Sequence, residues 1–205
     1  MPPMPERDAD EPDTEPMSEV DAVRWLSART LADVGELTAL FLEGHLQQTP
    51  THMGSPDTET IALIPVLAAC NRTGFVTHQS QPGTPHDEHG GAQRANVSGY
   101  ADSKTFARLM AAVADADLII TAPRALDGSD ERDFGPFFAI TLDYGEEFTW
   151  DGHASSRRSL NDSYDWVCHP AVIEALYEAW QVTLIDPEWG RNDVLWPALQ
   201  KFTGR

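Results

Sequence analysis

The stretch Asn71-Arg72-Thr73-Gly74-Phe75-Val76-Thr77-His78-Gln79-Ser80-Gln81-Pro82 decides how the rest of the chain is read. An apolar helix runs into it from Thr60, and a loop rich in Pro, Gly and His runs out of it. Gly74 ends the helix, because glycine enters the left-handed conformation at no steric cost. Phe75, Val76 and Thr77 read as a short strand. Thr77, Gln79, Ser80 and Gln81 set hydroxyls and amides on a tight strand-to-loop corner that Pro82 closes. Such a corner is either structural or one side of a small-molecule site.

Working upstream, a helix starts near Asp57 or Thr58 and runs through Ile61, Leu63, Ile64, Val66, Leu67 and Cys70. It is apolar nearly all round, which predicts burial on several sides. Pro65 inside it predicts a kink or an irregular first turn. Glu59 and Thr60 stand at its start, where backbone N–H groups are free and a ligand can approach. A carboxylate there can accept both hydroxyls of a ribose. The hydroxyls of Thr60, Thr77 and Ser80 can serve an adenine edge or an amino-acid head. The structural alternative makes Glu59 a dipole residue, Thr60 a cap, and Thr77 and Ser80 turn formers.

Further upstream, residues 1–18 are Pro, Asp and Glu with little to bury. Seven acids stand against one arginine over residues 1–19. This predicts a disordered acidic tail before a single domain over 19–205. Ser18 starts a short helix through Val23, Trp25 and Leu26. Thr30 with Asp33 resembles a capping box, opening a helix that ends at Gly44. Residues 47–58 are loop.

Downstream, Gly83 to Gly91 is a loop whose His86 and His89 form an H-x-x-H pair, but no third metal ligand is identifiable nearby. Gln93 to Tyr100 alternates, with Ala95, Val97 and Gly99 on one face and Arg94, Asn96, Ser98 and Tyr100 on the other. A helix capped by Asp102 or Ser103, a strand over 118–121 and a polar loop over 123–135 follow. Residues 137–142 are a strand, with 147–150 as its hairpin partner. Residues 151–162 read as loop. His169-Pro170 opens a helix, 182–185 is a strand, and Asn192 or Asp193 caps the last helix. Helices and strands alternate irregularly, which predicts an α+β domain of short mixed strands with surrounding helices.

The net charge of −19 disfavours nucleic acid and anionic membranes as partners, since both require clustered Lys and Arg. No apolar run reaches the 18 residues of a membrane span. No charged-then-apolar leader opens the chain, so a cytoplasmic location is expected. Cys70 and Cys168 lie far apart, and Cys70 reads as a small buried hydrophobe. No dinucleotide loop, Walker loop, zinc-protease helix or nucleophile elbow is present. The seven histidines stand at no spacing that names a mechanism, though His78 near Ser80 is a candidate base.

The corner resembles a segment of the regulatory C-terminal domain of eukaryotic methylenetetrahydrofolate reductase. That family reads N-R-x-G, two apolar residues, T-x-x-S-Q-P, as Asn71 to Pro82 do here. The resemblance extends in order over about residues 24–203, from Trp25–Gly44 through Glu59-Thr60, Gln93–Leu118 and Ala139–Thr141 to Val182–Leu199. It implies a regulatory-domain-like α+β fold and a site for S-adenosylmethionine or S-adenosylhomocysteine. By position, Glu59, Thr60, Thr77, Ser80 and Thr141 fall where that family contacts its ligand. The reductase barrel and its flavin site have no counterpart here, so the resemblance implies no reductase activity, and residues 145–162 depart from the family pattern. Three functions follow as expectations: a non-catalytic adenosyl-binding module for regulation or sensing; an interaction or decoy protein that kept the fold and lost the ligand; and an enzyme acting on a nucleoside-like substrate.

Overall fold

The computed structural model describes residues 17–125 and 136–204. Residues 1–16 of the expected acidic tail, and 126–135 of the expected polar loop, lie outside the described residues. The elements in order are α1 (Glu19–Ser27), α2 (Leu31–Leu42), a 3-10 helix (Thr58–Leu63), α3 (Ile64–Thr73), β1 (Val76–Gln81), β2 (Ala92–Ala101), α4 (Ser103–Val113), β3 (Ile119–Thr121), β4 (Phe138–Asp143), β5 (Glu146–Asp151), α5 (Arg157–Tyr164), α6 (Pro170–Glu178), β6 (Trp180–Trp189) and α7 (Leu195–Thr203). This is an α+β domain.

The sheet runs β3-β6-β2-β4-β5, with β1 also paired to β2. The strands were expected to be mixed; every pairing among the described residues is antiparallel. β2 forks. Its residues Asn96 to Tyr100 pair with β1, while Ala92 and Gln93 pair with β4. The Gln81 amide fills the fork, donating to the Arg94 carbonyl at 3.1 Å and the Ile140 carbonyl at 2.9 Å.

The alternation of β2 sorts its two faces. Ala95, Val97 and Ala101 join Val182 and Leu184 of β6, Leu109 and Val113 of α4, and Leu195 and Leu199 of α7 in the main apolar cluster. Gly99 lies between them because a Cβ there would stand 2.4 Å from the Val76 carbonyl oxygen. The other face carries Asn96, Ser98 and Tyr100, in register with Ile185, Thr183 and Gln181. Asp151 closes over this face: it is 5% exposed and accepts from Asn96 Nδ2 (2.8 Å), Ser98 Oγ (2.5 Å) and the Gly152 amide (2.7 Å).

Local signals hold at many ends. Ser18 caps α1, Thr30 and Asp33 form a full capping box on α2, and Asp102 caps α4. Gly74 is left-handed at φ 101° and ends α3. Arg72, just before it, bridges Glu36 of α2 and Glu43 at the C-cap of that helix. Others differ. The expected helix from Asp57 is 3-10 until Leu63, and Pro65 sits in the first turn of α3, where its missing N–H costs nothing. The expected corner after Thr77 is instead strand through Gln81, with a bulge at His78, since Thr77 pairs with Gly99 and Gln79 with Ser98. Residues read as loop after Asp151 contain α5, capped by Ser156 and buried through Leu160 and Tyr164. Asn192 does not cap α7, because its side chain exchanges two 2.8 Å bonds with the Gly83 backbone.

Candidate functional site

Five consecutive β1 residues, Val76 to Ser80, line a cavity of about 200 Å³. Successive strand side chains point to opposite faces, so a hollow touched by all five runs along the strand's edge. That edge is open, because β1 pairs only with β2 among the described residues. The opposite walls come from α2 (Val34, Thr38, Phe41, Leu42), the loop after it (Thr49 to His52, Pro56, Asp57), the 3-10 helix (Thr60), and Trp25 and Tyr164.

Three expected site residues meet here: Thr60, Thr77 and Ser80. Two do not. Glu59 is exposed and off the cavity. The reason is helical period: a 3-10 turn has three residues, so Asp57 and Thr60 eclipse one another and Glu59 points aside. Thr141 lies on β4, away from the cavity, and accepts a 2.6 Å bond from the Thr149 hydroxyl. The pairing of β4 with β5 supplies that hydroxyl a partner within the sheet.

Some of the wall is committed to the protein itself. Asn71, 1% exposed, donates to the Thr77 hydroxyl at 2.7 Å and accepts from the Thr77 amide at 3.0 Å. The Thr77 hydroxyl therefore keeps its own proton to donate. Thr49 accepts from the amides of Thr51 and His52, and Thr38 donates to the Val34 carbonyl. The His52 ring donates to the Ser55 carbonyl at 3.0 Å and stands 5.5 Å from the Phe41 ring. Tyr164 bonds to Thr51 and Tyr100, and burial pushes its phenol well above the ordinary range. Tyr100 bonds on to Ser155, and burial holds it at about 12.

The bulge turns His78 to the cavity, where its ring lies 5.0 Å from that of Tyr100. His78 is exposed, and the protein atoms packed against part of its ring lower its pKa below the usual imidazole value; Asp151 pulls it up and His153 pushes it further down. Among the described residues no lysine or arginine lines the cavity, and its one carboxylate is Asp57. It therefore suits a neutral or cationic ligand better than a phosphate ester.

Sequence reasoning missed Asp57, His52, Phe41, Trp25 and Tyr164 as wall residues. Asp57 had one usable signal, its place three residues before Thr60. The pair His86 and His89 gathers no third ligand: His86 stands edge-on to Trp189, and His89 lies beside Glu88. Among the described residues no group of three or more His, Cys, Asp or Glu is placed to hold a metal ion. Cys70 and Cys168 are free and buried, and burial raises both thiols to about 12. No helix of the described residues is long and apolar enough to cross a membrane.

No curated protein matches the chain. A family profile does match, over residues 20–203, which takes in nearly every described element. The chain belongs to that family, the domain of unknown function DUF6919.

Proposed function

We propose that this domain is a non-catalytic binding module for an adenosyl small molecule, S-adenosylmethionine or S-adenosylhomocysteine, serving regulation or sensing in the cytoplasm. One observation carries the reading. Thr60 on the 3-10 helix and Thr77 and Ser80 on β1, far enough apart in sequence to need the fold to join them, line one cavity. Phe41, Leu42 and Val76 give that cavity apolar walls for a base. Its 200 Å³ is below the roughly 300–1,000 Å³ of sites that enclose a drug-sized ligand. In this reading the nucleoside end enters the cavity and the amino-acid end stays at its mouth. The free thiols suit a reducing compartment.

Thermal unfolding with a panel of adenosine, S-adenosylhomocysteine, S-adenosylmethionine, AMP and ATP tests this. A ligand at 100 times its Kd adds about 2.7 kcal/mol, which raises Tm by about 5–10 °C in a chain of this size. The adenosyl compounds raise Tm, the phosphorylated ones do not, and Ser80→Ala with Thr60→Val removes most of the shift. A flat response to every adenosyl compound overturns the reading.

His78 on the cavity wall favours a second reading, an enzyme acting on a nucleoside-like substrate with that imidazole as base. Its mark is a new product on incubation with a panel compound, lost in His78→Ala. The third reading, a protein-interaction module, draws on the exposed Tyr144, Phe148 and Trp150 of the β4–β5 hairpin.

A further inference from the structure

We propose that the cavity selects an organic cation, a sulfonium or quaternary ammonium group, and that Asp57 is the residue that reads its charge. The inference deepens the adenosyl reading and rests on the same cavity.

Three observations converge. Asp57 immediately precedes the 3-10 helix, where an Asp side chain ordinarily accepts from the first-turn amides. Here it makes no such bond; the Thr60 amide takes the Asp57 backbone carbonyl instead, at 2.9 Å. The carboxylate is left uncommitted at the cavity mouth, where Asp57 is exposed.

Second, three aromatic side chains, Trp25, Phe41 and Tyr164, border the cavity, each with a small part of its surface, 5% or less, open to it. Trp25 is fixed by its ring N–H, which donates to the Gln48 carbonyl at 3.2 Å. Aromatic walls attract a cation through the ring quadrupole, most strongly where water is excluded. Rings and one carboxylate together are the chemistry of an onium site.

Third, the lining carries no permanently cationic side chain: among the described residues it holds no lysine or arginine. The chain's net charge of −19 adds a favourable long-range field.

Isothermal titration with S-adenosylmethionine, S-adenosylhomocysteine, trimethylsulfonium and choline decides the matter, on wild type and Asp57→Asn. The expected result is S-adenosylmethionine binding about tenfold tighter than its neutral thioether, a difference that Asp57→Asn removes by weakening only the sulfonium, as loss of one charge contact predicts. Equal affinity for the two in wild type, or equal weakening of both by Asp57→Asn, overturns the inference. The two readings fail separately. If trimethylsulfonium or choline binds in an Asp57-dependent way while no adenosyl compound does, charge selection stands and the adenosyl scaffold falls. If the thioether binds as tightly as the sulfonium, the scaffold stands and charge selection falls.

Discussion

The two faces of β2 come from alternate residues of one strand, yet different forces hold them. On one face Val97 meets Leu184 and the helices, and its contacts are apolar and non-directional. On the other, Asn96 and Ser98 meet a buried carboxylate, and each contact has a donor, an acceptor and a short distance. The first face tolerates any well-shaped hydrocarbon; the second tolerates only groups that complete its bonds. The cavity opens along β1, beside the directional face, where Gln79 pairs with Ser98.

The strongest break of this comparison is on the apolar side. Leu184 is fully buried, so Leu184→Ala removes both its transfer energy and its packing, and should cost about 2–5 kcal/mol. Urea denaturation reads this as a lower midpoint at unchanged slope. Ser98→Ala acts on the directional side. It takes one donor from Asp151 and one partner from Thr183, and should cost about 1–3 kcal/mol. A loss equal to that of Leu184→Ala would erase the distinction between the faces.

The smallest effect is one of pH, at the strand's exit. Asp102 caps α4, and the bond from the Thr105 amide, 2.6 Å long, is the main cause holding its carboxyl below the ordinary 3.8. A carboxyl whose pKa is lower folded than unfolded stabilises above the unfolded value and loses that as pH falls through the folded one. Stability should therefore fall as the solution is acidified below about pH 4, and less steeply in Asp102→Asn. Because Asp102 is exposed, solvent screens the effect and the difference in slope is small.

Much of this architecture was legible where the signal is local. The alternation of β2, the Thr30–Asp33 box, the left-handed Gly74 and the hairpin partner of β4 all follow from neighbours in sequence. α5 was missed because Arg157 to Tyr164 carries only Leu160 and Tyr164 as apolar residues; their spacing of four and the Ser156 cap were the available signals. Thr60, Thr77 and Ser80 border one cavity, and their residue type and position were the signals that singled them out. Glu59 stands off the cavity because the turn there is 3-10 rather than α, which no apolar pattern distinguishes over six residues. Trp25 and Tyr164 come to the cavity from distant parts of the chain, and periodicity carries no such information.

The fork in β2 divides the sheet unequally. A long ladder joins β2 to β6, whereas among the described residues β4 pairs with β2 only at Ala92 and Gln93, with side chains as struts: the Gln81 amide, the Arg94 guanidinium on the Ala139 carbonyl, and Asp151 of β5 holding Asn96 and Ser98. The hairpin is thus a wing on a short backbone seam, fastened mainly by side chains rather than by a ladder. In deuterated buffer its amides exchange ahead of those in the β2–β6 ladder, and the seam sets the order in which the domain comes apart.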